Sequence, residues 1–303
     1  MVFNKELEVV ICLHESHLKN FELVISQLYK NLKDIRIVVI SNIKLKEKIK
    51  NIDTRIEVLD EDTLVKGLSL CRIKDILKEK IGNESRAGWY FQQFLKMSYS
   101  LVTKSDYYLI WDSDLILLKE LKFFTEDNKM IIYKKTEYHT PYFETMKKIL
   151  NLDKMFNFSF IAEHLLIKTT IMKEIITKIQ SKNDIEGNYY FEKILNSVSL
   201  NDLPKSGFSE FETYGTYALS KYIESFEVRK INTWREAGSY LRQIKITTEI
   251  LEIFSKDFDT ISLEMWGKDQ KFKSILLNKK ILKNLGVKNT INLIKILNKC
   301  YKK

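Results

Sequence analysis

The stretch YYLIWDSDLILL, Tyr107–Leu118, sets Asp112-Ser113-Asp114 inside an otherwise apolar run. Apolar runs of this length, rich in aromatic and branched residues, read as strand. Ionised carboxylates resist burial unless a cation or hydrogen-bond donors compensate them. The two Asp therefore belong where the strand ends. N-terminal to it, LEVVICLH (Leu7–His14), IRIVVISN (Ile35–Asn42) and RIEVLDED (Arg55–Asp62) are three more runs of strand length. Phe21, Val24, Ile25 and Leu28 recur at helical spacing between the first two, and helical patterns follow around Leu64–Lys80 and Trp89–Val102. Apolar strands alternating with helices predict an α/β fold with a mostly parallel sheet covered on both faces.

The second half is mixed. MIIYKK (Met130–Lys135), FSFIAEHLLIK (Phe158–Lys168) and FEVRKINTW (Phe226–Trp234) read as strands. Helices are expected over His139–Leu150, Thr169–Gln180 and Phe191–Val198, and from Ser209, where Ser209 and Glu212 have capping-box spacing. After Gln243 the pattern is helical to the end, with Gly286 as a break. The expected organisation is residues 1–125 and 126–245 as two halves of one domain, followed by a helical basic extension over 246–303.

Composition narrows the classes. With 303 residues, 45% hydrophobic and 12% aromatic, the chain can bury a sizeable core and is not disordered as a whole. Three Cys without a CxxC pair exclude a disulfide scaffold or cysteine-rich zinc module and fit a reducing compartment. No apolar run reaches the roughly 18 residues of a membrane span. The opening MVFNKELEVV has no signal-like apolar segment, so a cytoplasmic location is expected. The net charge of +10 is not spread evenly: residues 266–303 hold eleven Lys against one acid, Asp269. Nucleic acid is disfavoured as a partner, because only seven residues are Arg and aromatics do not interleave with the Lys stripe. GxGxxG and GxxxxGK[ST] are both absent.

Carboxylates at i and i+2 can direct hard oxygen ligands at one divalent cation that bridges a diphosphate. Asp60-Glu61-Asp62 and Asp257-Phe258-Asp259 share the spacing but lie outside apolar runs and read as loop charges. The alternative for Asp112 and Asp114 is a turn whose backbone N–H groups they cap.

Five segments, GWYFQQFLK (Gly88–Lys96), YYLIWDSDLILLK (Tyr107–Lys119), SFIAEHLLI (Ser159–Ile167), FSEFETYG (Phe208–Gly215) and TWREAG (Thr233–Gly238), together resemble an uncharacterised bacterial family within the nucleotide-diphospho-sugar transferases of the GT-A fold. The resemblance covers roughly residues 5–240. It implies a Rossmann-type, mostly parallel sheet and a glycosyltransferase of surface polysaccharide synthesis, with Mn²⁺ or Mg²⁺ as cofactor. It implies a nucleotide-diphosphate sugar as donor, UDP-sugars favoured, and a glycan or lipid-linked acceptor. Carried over by position, Asp112 and Asp114 meet metal and donor, with Gln92, Gln93 and Lys96 beside the donor. The alternative for those three is a solvated helix face. Glu210, or Glu212, is the candidate base of an inverting transfer, where the alternative is a helix cap. His164 is a candidate acceptor ligand or a satisfied structural histidine, and Arg235 a counter-charge to the leaving diphosphate. The late His that completes many such metal shells is missing, since no His follows His164. A sugar nucleotidyltransferase, or a non-catalytic glycan- or lipid-binding protein on this scaffold, remains open.

In the basic extension, Phe272, Ile275, Leu276, Leu282 and Leu285 fall near one helical side, as do Ile291, Ile294, Leu297 and Tyr301. These are either helices packed on the body with Lys in water or a surface for anionic lipid, which would place the protein peripherally on the inner face of the cytoplasmic membrane.

Overall fold

The computed structural model describes residues 6–241, 246–264 and 273–300. Its strands are β1 (Leu7–Leu13), β2 (Ile35–Ser41), β3 (Glu57–Asp60), β4 (Tyr107–Trp111), β5 (Leu115–Leu117), β6 (Met130–Lys134), β7 (His164–Lys168), β8 (Phe226–Lys230), β9 (Thr233–Trp234) and β10 (Thr260–Ser262). The chain forms two compact units whose boundaries cut it several times. Unit 1 holds residues 1–18, 34–112 and 122–230, and unit 2 holds 19–33, 113–121 and 231–303.

Unit 1 is built on a five-stranded sheet of order β3-β2-β1-β4-β7. β1, β2, β3 and β4 run parallel, and β7 runs antiparallel to β4 with Trp111 opposite His164. The sheet is mostly parallel, as its continuous apolar runs require: Val9, Val10, Ile11, Ile37, Val38, Val39 and Ile40 are all fully buried. β6 and β8 pair as a second, parallel ribbon. The helix Ala87–Val102 packs on β1 and on the helices Leu70–Ile81, Thr169–Gln180 and Glu210–Tyr222. It is buried around almost its whole circumference, Lys96 included. After β3 the chain returns to the other side of β1 to place β4, so strand order reverses between β1 and β4. The crevice outside the carboxyl ends of strands at such a reversal is where open α/β sheets bind ligands.

Unit 2 contains the sheet β5-β10-β9, with β10 antiparallel to β5 and parallel to β9. β10 lies in a region expected to be helical throughout; Thr260-Ile261-Ser262 is too short a run to signal itself by periodicity. Gly238 is required there, because a Cβ would fall 2.3 Å from the carbonyl oxygens of Leu263 and Glu264. The basic extension is two-sided: Leu277, Leu282, Val287, Ile291 and Ile294 are buried, while Ile275 and Leu285 are 64% and 40% exposed. The single apolar side expected for the first stretch is broken, because the helices Lys273–Leu276 and Lys279–Leu285 are separate. Asp257 is no idle loop charge, since its Oδ2 caps the helix Val287–Cys300 by accepting from Val287 N at 2.9 Å and Lys288 N at 3.3 Å. Phe272 and Tyr301 lie outside the described residues.

Candidate active site

At the carboxyl edge between β1 and β4, unit 1 gathers a charged cluster. Asp112 follows the last residue of β4, and its N–H donates to the carbonyl of Glu163 at 3.0 Å. Glu163 itself sits at φ +64°, a left-handed conformation costing about 1–3 kcal/mol for a residue with a Cβ and concentrated at functional sites. Lys96 Nζ donates to Asp112 Oδ1 at 2.6 Å and to Glu210 Oε1 at 2.9 Å. The side chains of Lys96 and Glu210 are 5% and 4% exposed, and that of Asp112 is 21% exposed. Burial pulls the Lys96 ammonium toward neutrality, but Asp112 and Glu210 more than reverse this and hold it charged. The ammonium also lies 4.7 Å from the centre of the Phe211 ring.

The neighbours of this triad follow from the same strand ends. Cys12, on β1, is buried, and burial pushes its thiol up to about 12; Lys96 opposes that shift, while Asp112, Glu210 and Glu61 add to it. Glu61 directly follows β3, and burial together with Asp62 and Asp60 raises its carboxyl to about 7. His17, after β1, is lowered by burial and by His14, with Asp112 acting in the opposite direction. Sequence reasoning set Glu61 aside as a loop charge and passed over Cys12 and His17. The available signal was position: each follows or closes a parallel strand, as Asp112 does.

The remaining candidates divide. Gln93 is 4% exposed, accepts from Glu210 N at 3.2 Å and donates to Trp89 O at 3.4 Å, so it caps the helix Glu210–Tyr222. Gln92 is half-buried, and its carbonyl accepts from Cys12 Sγ at 3.8 Å. A solvated helix face is thus excluded for Lys96 and Gln93. Ser209 forms only half of a capping box, accepting from Glu212 N, because the Glu212 carboxylate turns elsewhere. Glu212 accepts from Ser159 Oγ at 2.6 Å, Phe160 N at 3.2 Å and Lys154 Nζ at 2.7 Å, and is 2% exposed. His164 is 1% exposed among Trp111, Phe123 and Tyr133, and burial lowers it to about 3, so it stays neutral with no face open to an acceptor. Asp114 and Arg235 belong to unit 2, where Arg235 Nε lies 3.3 Å from Glu264 Oε2. Cavities of about 120 and 280 Å³ lie elsewhere in unit 1, beside Glu174 and beside the Arg72–Glu192 pair.

No three His, Cys, Asp or Glu among the described residues converge into a metal shell. Mg²⁺-type sites do not demand one: such ions are commonly held by one or two carboxylates plus substrate phosphates and water. Asp112 suits that mode. It is a partly exposed carboxylate whose Oδ2 has no hydrogen bond among the described residues.

Fold and cluster together define an α/β protein with a charged, partly buried site at the switch point of its parallel sheet. Residues 13–267 match a family of unknown function, DUF6492, and the chain belongs to it. No curated protein matches the chain. Among solved structures, it is similar to the WbbM bifunctional glycosyltransferase at 12% identity and a TM-score of 0.44, over 89% of this chain and 47% of that one. Mouse xyloside xylosyltransferase 1 aligns at 10% identity and 0.45, over 84% and 96% of the two chains. The galactosyltransferase LgtC with donor and acceptor sugar analogues aligns at 11% and 0.43, over 92% and 95%. The chain therefore spans about half the length of the first of these.

Proposed function

We propose that this protein is a glycosyltransferase that moves a sugar from a nucleotide diphosphate, a UDP-sugar by preference, to a glycan or lipid-linked acceptor of surface polysaccharide synthesis. The observation that carries the reading is the Lys96–Asp112–Glu210 cluster at the β1/β4 switch point, where a phosphorylated ligand is expected. Asp112 would hold a divalent cation, which when bound supplies positive charge to the departing diphosphate. Glu210 is favoured over Glu212 as the group near the acceptor hydroxyl, because Glu212 is committed to Ser159, Phe160 and Lys154. Lys96 Nζ donates to Glu210 Oε1 at 2.9 Å, which orients that carboxylate in a site that excludes most solvent.

The exposed lysines of the basic extension support contact with anionic lipid on the inner membrane face. Residues 273–300 contain no Asp or Glu, and Ile296, 57% exposed, lies between Lys295 and Lys299 in sequence.

The test is a thermal-shift panel of nucleoside diphosphates and nucleotide sugars, with and without Mn²⁺, on wild type and Asp112→Asn. A Mn²⁺-dependent shift with one nucleotide, lost in Asp112→Asn, is expected. Absence of any nucleotide-dependent shift overturns the proposal. Binding without donor hydrolysis or transfer points instead to a non-catalytic scaffold.

A further inference from the structure

We infer that Lys96 is a charge-setting residue that makes cation capture at Asp112 depend on a bound diphosphate. The inference rests on the donor-site reading above and concerns what Lys96 does to that site. Its ammonium is 2.6 Å from Asp112 Oδ1 and 2.9 Å from Glu210 Oε1, so it already compensates one of the two carboxylates. The three groups sum to one net negative charge. A divalent ion arriving alone meets a half-neutralised carboxylate and, beside it, an ammonium that cannot turn away into water, because the Lys96 side chain is 5% exposed. Repulsion between fixed like charges is strong where solvent is excluded. A nucleoside diphosphate arriving with the ion supplies the missing negative charge and further hard oxygen ligands.

The geometry also argues against Lys96 as a free hand for the donor. Its two hydrogen bonds to carboxylates and its position over Phe211 spend the ammonium within the protein. Lys96 is held from both sides: its own carbonyl accepts from Tyr108 Oη at 3.0 Å, and Gln93, one helical turn before it, fixes the start of the helix carrying Glu210.

The experiment is direct titration of Mn²⁺, followed by electron paramagnetic resonance, on the full chain with and without UDP. Wild type is expected to bind Mn²⁺ weakly alone and at least 10-fold more tightly with UDP. Lys96→Met is expected to bind Mn²⁺ alone about 10- to 100-fold more tightly than wild type, with most of the UDP dependence gone. Lys96→Arg, which keeps the charge, should behave like wild type. Because Lys96→Met strands two carboxylates, Glu210→Gln gives an independent reading: it keeps the Lys96–Asp112 pair, removes one negative charge, and should weaken Mn²⁺ binding with UDP about 10-fold. Unchanged or weaker Mn²⁺ binding in folded Lys96→Met, or unchanged binding in Glu210→Gln, overturns the inference. If wild type binds neither Mn²⁺ nor UDP, the donor reading fails. In that case the diphosphate dependence falls with it; capture of Mn²⁺ alone by Lys96→Met would then uphold only the exclusion of the cation by Lys96, and no capture would overturn that as well.

Discussion

Replacing Glu212 with Ala removes the carboxylate that ties the start of the helix Glu210–Tyr222 to the segment ahead of β7. Glu212 is 2% exposed and Lys154 10%, so water screens their pairing little. Removing one partner of a buried, hydrogen-bonded ion pair costs about 3–5 kcal/mol, because the other charge is left uncompensated. Lys154 retains the carbonyl of Phe158 as an acceptor, which places the expected loss at about 3–4 kcal/mol. For a cooperative unit of about 200 residues, each kcal/mol lowers Tm by about 2–4 °C, so a drop of about 6–16 °C is expected. Glu212→Gln keeps an acceptor for Ser159 and Phe160 but loses the ion pair, and should melt between the two. Thermal melts at neutral pH, with urea midpoints as a second probe, give the order wild type, Glu212→Gln, Glu212→Ala. A Glu212→Ala protein melting within 2 °C of wild type refutes the anchor and returns Glu212 to contention as a base.

Gly215→Ala should destabilise by about 1–3 kcal/mol, read as a lower urea midpoint, because its Cβ would lie 2.2 Å from ring atoms of the fully buried Phe160. Glu61 has a folded-state value of about 7 against an ordinary 4.5, so the folded protein resists its ionisation and loses stability as pH rises from 4.5 through 7. Urea titrations should therefore find Glu61→Gln matching wild type at pH 4 and more stable at pH 8; equal stability at pH 8 removes the case for a perturbed carboxyl. Vesicles containing phosphatidylglycerol should carry the protein upward in flotation at low salt, and neutral phosphatidylcholine vesicles should not. Reversing Lys280, Lys288 and Lys299 to Glu should weaken flotation at least 100-fold, since each Lys near such a surface contributes about 1 kcal/mol. Those exposed positions are the right probe, because truncating the extension would remove buried Leu282, Val287, Ile291 and Ile294.

Much of the fold was legible in local pattern. The helix Leu18–Asn31 buries the residues its spacing names, the helix Thr169–Gln180 spans the expected range, and strands β1 to β4 lie within the runs that announced them. The break at Asp112-Ser113-Asp114 was legible too, since β4 stops at Trp111 and β5 resumes at Leu115. Periodicity reports only what a segment does within a few residues of itself. It therefore missed β10, and it read Phe158–Lys168 as one strand where only His164–Lys168 pairs along the sheet.

Amino-acid order alone determined the strand-helix alternation, the apolar surroundings of Asp112 and the concentration of Lys in the last stretch. It took the folded chain to set Lys96 between Asp112 and Glu210, the latter 114 residues away, to give Glu212 to Ser159 and Lys154, and to bring Glu61 with Asp112 around Cys12. The reason is electrostatic and non-local. A buried charge is tolerated only beside its partner, and which partner that is depends on how the strand ends and helix starts converge, which no single segment encodes.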